Sequence, residues 1–509
     1  MVDSSVSLLF DPIGIVLDRR QGLSRQLYQA LRVRVLDGRL GSGTRLPATR
    51  DMAAILGISR NSVVRAYDQL YAEGFIESRV GDGTYVSHLP KLSTKVSTGL
   101  SKGFSTALST ISQENTEDSS SKVIHTAPLF RLENHHLPTP RSGPPRAFRV
   151  GVPAFDLFPF EVWAKLQAGF WRNPDPGSLG YGDPGGEPLL RELIAAYLRR
   201  SRGLSCTPEQ IVITTGAQQA ISLCAQLLLE PGAGVAVENP GYRAAGCAFA
   251  LTGATVQGVP VDNDGLDCAA LATVDNCRMA YVTPAHQYPT GVVMSLARRL
   301  ELLAWAERNQ SWIVEDDYDG EYRYSGAPLA PLAALDRSGR VLYVGTFSKV
   351  AFPALRLGYL VLPQQLVQPF SRCRALMVRH SEVATQVVMA QFMAQGHFQR
   401  HIRRMRRAAL NRRNALMAGW PVDIPGVGGL PDMVAGLHVK VDVDNPERER
   451  WLVEKALEVG VELNPLSDYW LPDTPEAVDK SAGLVLGFAA VGEAGIAEAL
   501  GKLRKAWKG

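Results

Sequence analysis

Long hydrophobic runs, paired cysteines and a strong charge of either sign are all missing from this 509-residue chain. No window of about 18 uninterrupted apolar residues occurs, which argues against a membrane-spanning helix. The segment Met1 to Asp18 has no basic run followed by an apolar stretch, so a secretory signal is not expected. The six cysteines (206, 224, 247, 268, 277 and 373) form no C-x-x-C pair and have no histidine at ligand spacing. Neither a metal site nor a disulfide framework is expected, and a reducing cytoplasm is the simple reading. With 54 Lys+Arg against 50 Asp+Glu the formal charge is +4, too small for general polyanion binding. Any binding of nucleic acid must be local.

What is present is a composition that folds. Apolar residues make up 46% and charged residues 20%, enough to bury a core, and the length suggests about three domains. Between Lys91 and Ser121 there are fourteen Ser or Thr in 31 residues, and Phe104 is the one aromatic. Such a stretch cannot offset its ordering entropy by burial, so a flexible linker is expected. The prolines at 138, 140, 144 and 145 stiffen its far end. The expected domains are a small module over 14–88, a linker over 89–147 and a large body over 148–509.

In the module, Leu27, Leu31 and Val35 lie on one face of a helix over 23–36. Thr49 is the expected N-cap of a short helix, Arg50 to Leu56, closed by Gly57. Ser59 caps the next helix, which runs to about Glu73 and is closed by Gly74. There Val63, Ala66, Tyr67 and Leu70 must face a core, with Arg60, Asn61 and Arg65 on the other side. Phe75 to Ser78 and Thr84 to Val86 read as a β-hairpin around Gly81–Asp82–Gly83.

This order is that of a winged helix-turn-helix. Its reading helix offers guanidinium and amide groups near its N-terminus, where they reach base edges in a major groove. Ser59, Ser62 and the free N–H groups of the first turn can hold phosphate. Every basic residue among the first 90 is Arg, eleven of them against nine acids, so the charge matters only where it is clustered. A small protein-interaction module with a solvated Arg face is the competing reading of the spacing alone.

The stretches Arg45-Leu-Pro-Ala-Thr-Arg50, Leu56-Gly-Ile-Ser-Arg60-Asn-Ser-Val-Val-Arg65-Ala-Tyr and Glu73-Gly-Phe-Ile-Glu-Ser-Arg79-Val-Gly81-Asp-Gly83-Thr resemble the GntR-type winged helix over nearly its full length. The resemblance implies DNA contacts from Arg50, from Ser59, Arg60, Asn61, Ser62 and Arg65, and from the wing at Arg79, Gly81, Gly83 and Thr84.

From Arg149 onward, apolar strand-like runs alternate with amphipathic helices. Strands are expected at Ile211–Thr214, Val235–Glu238, Met279–Thr283, Trp312–Asp316 and Val341–Val344, with helices from Gln218 and from Ser295 to Asn309. The pattern predicts an α/β fold with a largely parallel sheet, whose active groups sit at the carboxyl ends of the strands. Those ends carry an ordered set. Thr214-Thr-Gly216-Ala217-Gln218 joins a strand to a helix and offers N–H groups to an anion. Glu238-Asn-Pro-Gly-Tyr242 places an aromatic after a strand. Thr283-Pro-Ala-His286-Gln287-Tyr288-Pro-Thr-Gly291 follows another. Trp312-Ile-Val-Glu315-Asp316-Asp317-Tyr318 ends in carboxylates. Val344-Gly-Thr346-Phe-Ser348-Lys349 ends in hydroxyls and a lysine, with Arg356 seven residues later.

A phosphate cradle, a stacking aromatic, a strand-end carboxylate and a lysine flanked by hydroxyls are the groups that pyridoxal 5′-phosphate needs. Each of these features alone is ordinary structure. In order and spacing the set is similar to fold-type-I aminotransferases across about 350 residues. That resemblance implies that Lys349 is the Schiff-base lysine, Asp316 the partner of the pyridinium nitrogen and Tyr318 the phenol near the ring's O3′. It implies that Tyr242 stacks on the ring and that Gly216, Ala217, Gln218, Thr346, Ser348 and Arg356 hold the phosphate. Tyr181, in Gly180-Tyr-Gly-Asp-Pro-Gly-Gly186, is implied to reach the cofactor of a neighbouring subunit. Two departures stand out. Tyr288 takes the place of the usual Asn before Pro-Thr-Gly, which leaves His286 or Gln287 to supply that polar contact. Val485, in Leu484-Val-Leu-Gly-Phe-Ala489, stands where an Arg usually clamps the substrate carboxylate, with Arg243 and Arg323 as candidate substitutes.

A GntR-type module fused to such a body resembles the MocR/GabR regulators. The resemblance implies a cytoplasmic, homodimeric transcription factor, without a membrane partner, that binds promoter DNA with repeated half-sites. It implies pyridoxal phosphate on Lys349 sensing a small amino compound, or acting as effector itself, rather than an enzyme. The alternative is a working aminotransferase with an accessory N-terminal domain. One run falls outside this scheme. Arg400, Arg403, Arg404 and Arg407 share a helical face, which reads first as a solvated or internally salt-bridged helix between subdomains, with contact to DNA or an acidic surface as the alternative.

Overall fold

Why the first helices form is visible in their burial. In the computed structural model, which describes residues 15, 17–18, 22–79, 82–87, 143–324, 329–472, 474 and 480–508, α1 (Leu23–Leu36) buries Leu27 and Leu31, as the 3.6-residue period requires. A two-residue strand, β1 (Arg45–Leu46), precedes α2 (Thr49–Leu56) and α3 (Arg60–Ala72). Ser59 caps α3 by accepting from the Ser62 N–H at 3.1 Å, and Val63, Ala66, Tyr67 and Leu70 are its buried face. The hairpin is β2 (Ile76–Arg79) with β3 (Gly83–Val86), and β1 adds to it antiparallel, Arg45 opposite Tyr85. Leu27, Leu31, Leu46, Met52, Val63, Leu70, Ile76 and Val86 close one small core.

One cap differs from expectation. Thr49 is the first residue of α2, and Ala48, extended at ψ 153°, is the cap. The ladder itself is the physical reason: the Ala48 carbonyl already accepts from the Met52 N–H at 2.9 Å, which makes Ala48 the half-in flanking residue and Thr49 the first helical one. The expected linker, 89–147, lies outside the described residues except for 143–147.

The chain divides into two compact units, residues 1–121 and 122–509. The second is built on an eight-stranded sheet. Its strands are β4 (Ile211–Thr214), β5 (Gly234–Asn239), β6 (Thr255–Asp262), β7 (Gly265–Leu266), β8 (Cys277–Val282), β9 (Trp312–Asp317), β10 (Val341–Thr346) and β11 (Gly358–Val361), in the order β4-β11-β10-β9-β8-β5-β6-β7. Pairs among β10, β9, β8, β5 and β6 are parallel, whereas β11 runs antiparallel between β10 and β4.

Burial of every residue of β4, β5, β10 and β11 means that both faces are covered, as a parallel sheet demands. Successive residues go to opposite layers. Val314 packs with Ile221, Phe249 and Phe370 from one set of helices, and its neighbour Ile313 packs with Leu302 and Trp305 from another. A second, three-stranded sheet of β12 (His438–Val443), β13 (Asn464–Pro465) and β14 (Ala482–Gly487), in the order β12-β14-β13, has its own core with Leu452, Ile496 and Leu503. Among the described residues no helix is long and apolar enough to cross a membrane.

Candidate functional site

The sheet topology brings several strand ends to one edge, because β4 and β10 both run antiparallel to β11 and β10 is parallel to β9. A cavity of about 210 Å³ opens there, lined by Ala217, Gln218, Tyr242, Asp316, Tyr318, Thr346, Ser348, Lys349 and Arg356. Residues from Ala217 to Arg356 thus meet in one place because their strands end together. The volume suits a small substituted ring rather than a single ion.

Strand alternation separates the three carboxylates at the end of β9. Glu315 faces one layer and accepts from the Leu332 and Ala333 N–H groups at 2.8 and 2.9 Å. Asp317, on the same side, takes the Tyr343 hydroxyl at 2.6 Å and an ion pair from Arg202 at 2.9 Å. Asp316 alone points to the cavity. Its Oδ2 accepts from the Tyr281 hydroxyl at 2.8 Å, and its Oδ1 is buried with no partner. Burial pushes this carboxyl up from 3.8 to about 7. An unpartnered buried carboxylate oxygen calls for a donor.

Lys349 Nζ donates to the Gly151 carbonyl at 2.8 Å. Burial lowers its pKa, and the charges of Asp319 and Asp316 oppose that shift. A depressed lysine keeps more of the neutral amine that covalent chemistry requires. Gly151 is needed here, since a Cβ on it would stand 3.0 Å from Nζ at a backbone φ of +81°.

At the other end, Ser348 N–H and hydroxyl converge with Thr346 Oγ1 at 3.1 and 3.0 Å. Arg356 Nη2 donates to the Thr215 carbonyl at 2.6 Å. Gly216, at φ +102°, lets the strand-to-helix turn pass the guanidinium, because a Cβ there would lie 3.0 Å from Arg356 Nη2. The helix Ala217–Leu228 begins at this turn, so its first N–H groups face the same corner and favour an anion. The residues therefore fit pyridoxal phosphate. Asp316 offers an orphaned acceptor for the ring nitrogen, Lys349 an amine for the aldehyde, and the Thr346–Ser348–Arg356 corner a cradle for phosphate. Tyr242 lines the wall and donates to Gln218 Oε1 at 3.2 Å.

Two expected positions, Gln287 and His286, lie elsewhere. Gln287 is a buried strut, with Nε2 donating to Glu238, Pro240 O and Tyr288 O at 3.2, 3.0 and 2.8 Å. His286 stands behind Tyr318, its Nδ1 3.2 Å from that hydroxyl and 3.0 Å from Asp319 Oδ2. The wall at this point is Thr283, Tyr288 and Tyr318 instead. Tyr181 is 90% exposed, beside His380. Val485 is buried in β14 between Lys440 and Asn464. Among the described lining residues Arg356 is the one guanidinium. Arg243 bonds the Asp468 carbonyl at 3.3 Å, and neither it nor Arg323 lines the cavity.

Sequence reasoning missed His438, which lines the cavity from β12. Its ring sits 4.5 Å from that of His286, and its Nε2 is buried without a partner. His286, Asp319 and His438 bring one ligating atom each within 4.8 Å of one another. No spacing signal could have joined a strand so far downstream to these two.

In the first unit Arg50, Ser59, Arg60, Asn61, Arg65, Arg79 and Gly83 are exposed, and Ser62 and Thr84 are half-buried. None is in the core. Gly81 lies outside the described residues. Arg79 is held by Glu77 at 3.0 Å and over the Tyr85 ring at 4.4 Å, and Arg45 donates to the Asp82 carbonyl at 2.5 Å, bracing the wing.

A small winged helix-turn-helix and an α/β body of aminotransferase type are the classes these two architectures define. Comparison with known proteins agrees for both. The family of bacterial regulatory proteins of the gntR type matches residues 23–86, and the aminotransferase class I and II family matches residues 147–425. The chain is 36% identical to the probable rhizopine catabolism regulatory protein MocR of Rhizobium meliloti, over 97% of this chain and 96% of that one. It is 31% identical to the pyridoxine biosynthesis transcriptional regulator PdxR of Corynebacterium glutamicum, over 94% of each. A solved structure of the Pyrococcus horikoshii kynurenine aminotransferase in complex with PMP is 28% identical, with a TM-score of 0.64 over 72% of this chain and 91% of that one. The chain belongs to the MocR-type transcriptional regulators.

Proposed function

We propose that this regulator holds pyridoxal 5′-phosphate in the strand-end cavity and uses it to sense a small amino ligand, or its own supply of cofactor, while residues 14–88 bind promoter DNA. The observation that carries the reading is the pairing of Lys349 with the orphaned Asp316 oxygen across one cavity whose far corner is built for phosphate. Lys349 would anchor the cofactor, Asp316 would face its ring nitrogen, Tyr318 would lie by O3′ and Tyr242 against the ring. Ala217, Gln218, Thr346, Ser348 and Arg356 would hold the phosphate, with Gly216 leaving room for the guanidinium. When bound, the cofactor supplies an aldehyde for covalent capture of an amine and a ring that withdraws electrons from it.

Sensing rather than turnover is favoured by the missing clamp. With Val485 at the position of the usual Arg, a substrate carboxylate has no second guanidinium in the cavity wall to fix it, and positioning is what converts binding into rate. A ligand that binds one arrangement of the protein better than another shifts the balance between them by that difference alone. The protein would act in the cytoplasm as a homodimer, with Tyr181 reaching the partner's site and two winged helices on repeated half-sites. Arg50, Arg60, Asn61, Arg65, Arg79 and Thr84 would contact the duplex.

Absorbance of the purified protein tests the sensor. One equivalent of cofactor per chain is expected, with a long-wavelength band that Lys349→Ala abolishes; no band, or one unmoved by that substitution, rejects the scheme. Sustained turnover across a panel of amino and keto acids would establish the enzyme instead. The pyridoxine-linked name of the PdxR relative makes the cofactor itself the first effector to try on DNA binding.

A further inference from the structure

We propose that Asp319 is the internal counter-charge of the Lys349 nitrogen, and that His286 is the positioning residue that holds it in place behind Tyr318. This role rests on the reading of the cavity as a cofactor site, and it falls to a residue that the resemblance to aminotransferases does not assign.

Four acids, Glu315, Asp316, Asp317 and Asp319, stand within five residues at the end of β9, and the fold uses each differently. Glu315 is satisfied by two backbone N–H groups, and Asp317 by the Arg202 guanidinium and the Tyr343 hydroxyl. Asp316 faces the cavity at the place argued above for a ring nitrogen. Asp319 is the fourth, 1% exposed. Its Oδ2 meets His286 Nδ1 at 3.0 Å and the Leu437 N–H at 3.3 Å, whereas its Oδ1 has no partner. Among the described residues that imidazole is its one ion-pair neighbour. A buried carboxylate with an empty oxygen is costly unless a cation shares its surroundings. Lys349 is that cation. Burial drives the proton off its amine, and of the two charges that oppose this Asp319 comes ahead of Asp316.

The imidazole is fixed from several sides. Its Nδ1 faces a carboxylate, which can only accept, so that nitrogen carries the hydrogen. The same Nδ1 lies 3.2 Å from the Tyr318 hydroxyl, whose own proton goes to the His286 carbonyl at 2.8 Å. A side chain on Gly436, at φ +83°, would overlap the ring. The chain entering β12 therefore passes flush against His286, and the next N–H, that of Leu437, is delivered to Asp319. A purely structural pair would be expected to use both carboxylate oxygens.

The other groups around Lys349 and Tyr318 do not supply this charge. His438, from β12, is held neutral by burial and by the charges of His286 and Lys349. Burial pushes Glu238, from β5, and Asp316 up to about 7. It also raises the phenols of Tyr242, Tyr281, Tyr288 and Tyr318, which stay neutral. Arg356 belongs to the phosphate corner. Two acids thus divide the work, Asp316 answering the ring nitrogen and Asp319 the lysine nitrogen.

The test uses the full-length protein with its cofactor and follows the long-wavelength band against pH. Loss of the proton from the lysine nitrogen moves that band, so its midpoint reads the local field. Asp319→Asn should lower the midpoint by about one pH unit, as removal of a nearby opposite charge does. Asp319→Glu keeps the charge and should restore most of the shift, which separates charge from packing. An unchanged midpoint in the Asp319→Asn protein overturns the proposal, and so does an Asp319→Glu midpoint equally low. Should Asp319→Asn release the cofactor, the rate at which cofactor-free protein takes up added pyridoxal phosphate is measured against pH. Its inflection reports the free Lys349 amine and should fall by about one unit in that variant; an inflection that stays in place overturns the proposal. Absence of a long-wavelength band in the unaltered protein would instead overturn the cofactor reading beneath it.

Discussion

Asp316 and Arg356 hold the two ends of the cavity by different physics, and each can be tested alone. Burial raises Asp316 to about 7 from 3.8, so between those values the unfolded chain has released the proton that the folded one keeps. An acid whose folded pKa is raised stabilises fully below its unfolded value and loses that contribution as pH rises through the folded one. The cofactor-free protein should therefore weaken as pH climbs from about 4 to about 7. Asp316→Asn should flatten the pH dependence of its urea midpoint; Glu238 and Glu315, each also pushed up to about 7 by burial, keep part of it. A midpoint whose pH profile is identical in the Asp316→Asn variant and the unaltered protein would refute the argument. Arg356 acts by charge. A hydrogen bond to a charged group contributes about 1.5–3 kcal/mol, so Arg356→Ala should weaken cofactor retention roughly tenfold to a hundredfold, read by equilibrium dialysis, with little effect on the unliganded fold.

At the level of elements, legibility followed the strength of local signals. The helix α3 was readable almost to the residue because Ser59 caps it and Gly74, at φ +77°, ends its last turn. Ser59→Ala should cost about 1 kcal/mol, visible as a lower melting temperature of the first unit and as weaker DNA binding. Equal melting temperatures would mean that the Ser62 N–H finds water as good a partner. The strands β4, β9 and β10 were legible as apolar runs between turn signals, and the chemistry at their ends came with them. Other pieces carried no such signal. Strand β1 is two residues long, too short for a period. Asp319 sits two residues past β9, buried where the distant Leu437 N–H and His286 close over it. His438 depends on the register of β12 against β14, a non-local fact. Gln287 reads as a ligand-facing amide but is consumed by Glu238 and two carbonyls, because the turn around it has to satisfy its own backbone first.

For the whole molecule the near-neutral total charge conceals local clusters of positive charge. The first unit exposes an arginine-bearing reading helix, and the second exposes four guanidiniums outside any described ion pair on one helix. Arg60→Ala with Arg65→Ala should abolish binding to the promoter region in a mobility-shift assay without changing the cofactor spectrum. Survival of specific binding in that double variant would exclude the docking of α3 proposed here. The antiparallel strand β11 has a consequence of another kind. Thr346 and Gly358 face each other in the β10–β11 pair, so Lys349 and Arg356 share one short loop that closes on itself. Loops of about ten residues close in roughly 10–100 ns, whereas Asp316, Gln218 and Tyr242 must wait for long crossovers. When the whole chain refolds from denaturant, then, Lys349 and Arg356 can meet before the crossovers deliver Asp316, Gln218 and Tyr242, so one end of the cavity is a local inheritance of a single hairpin.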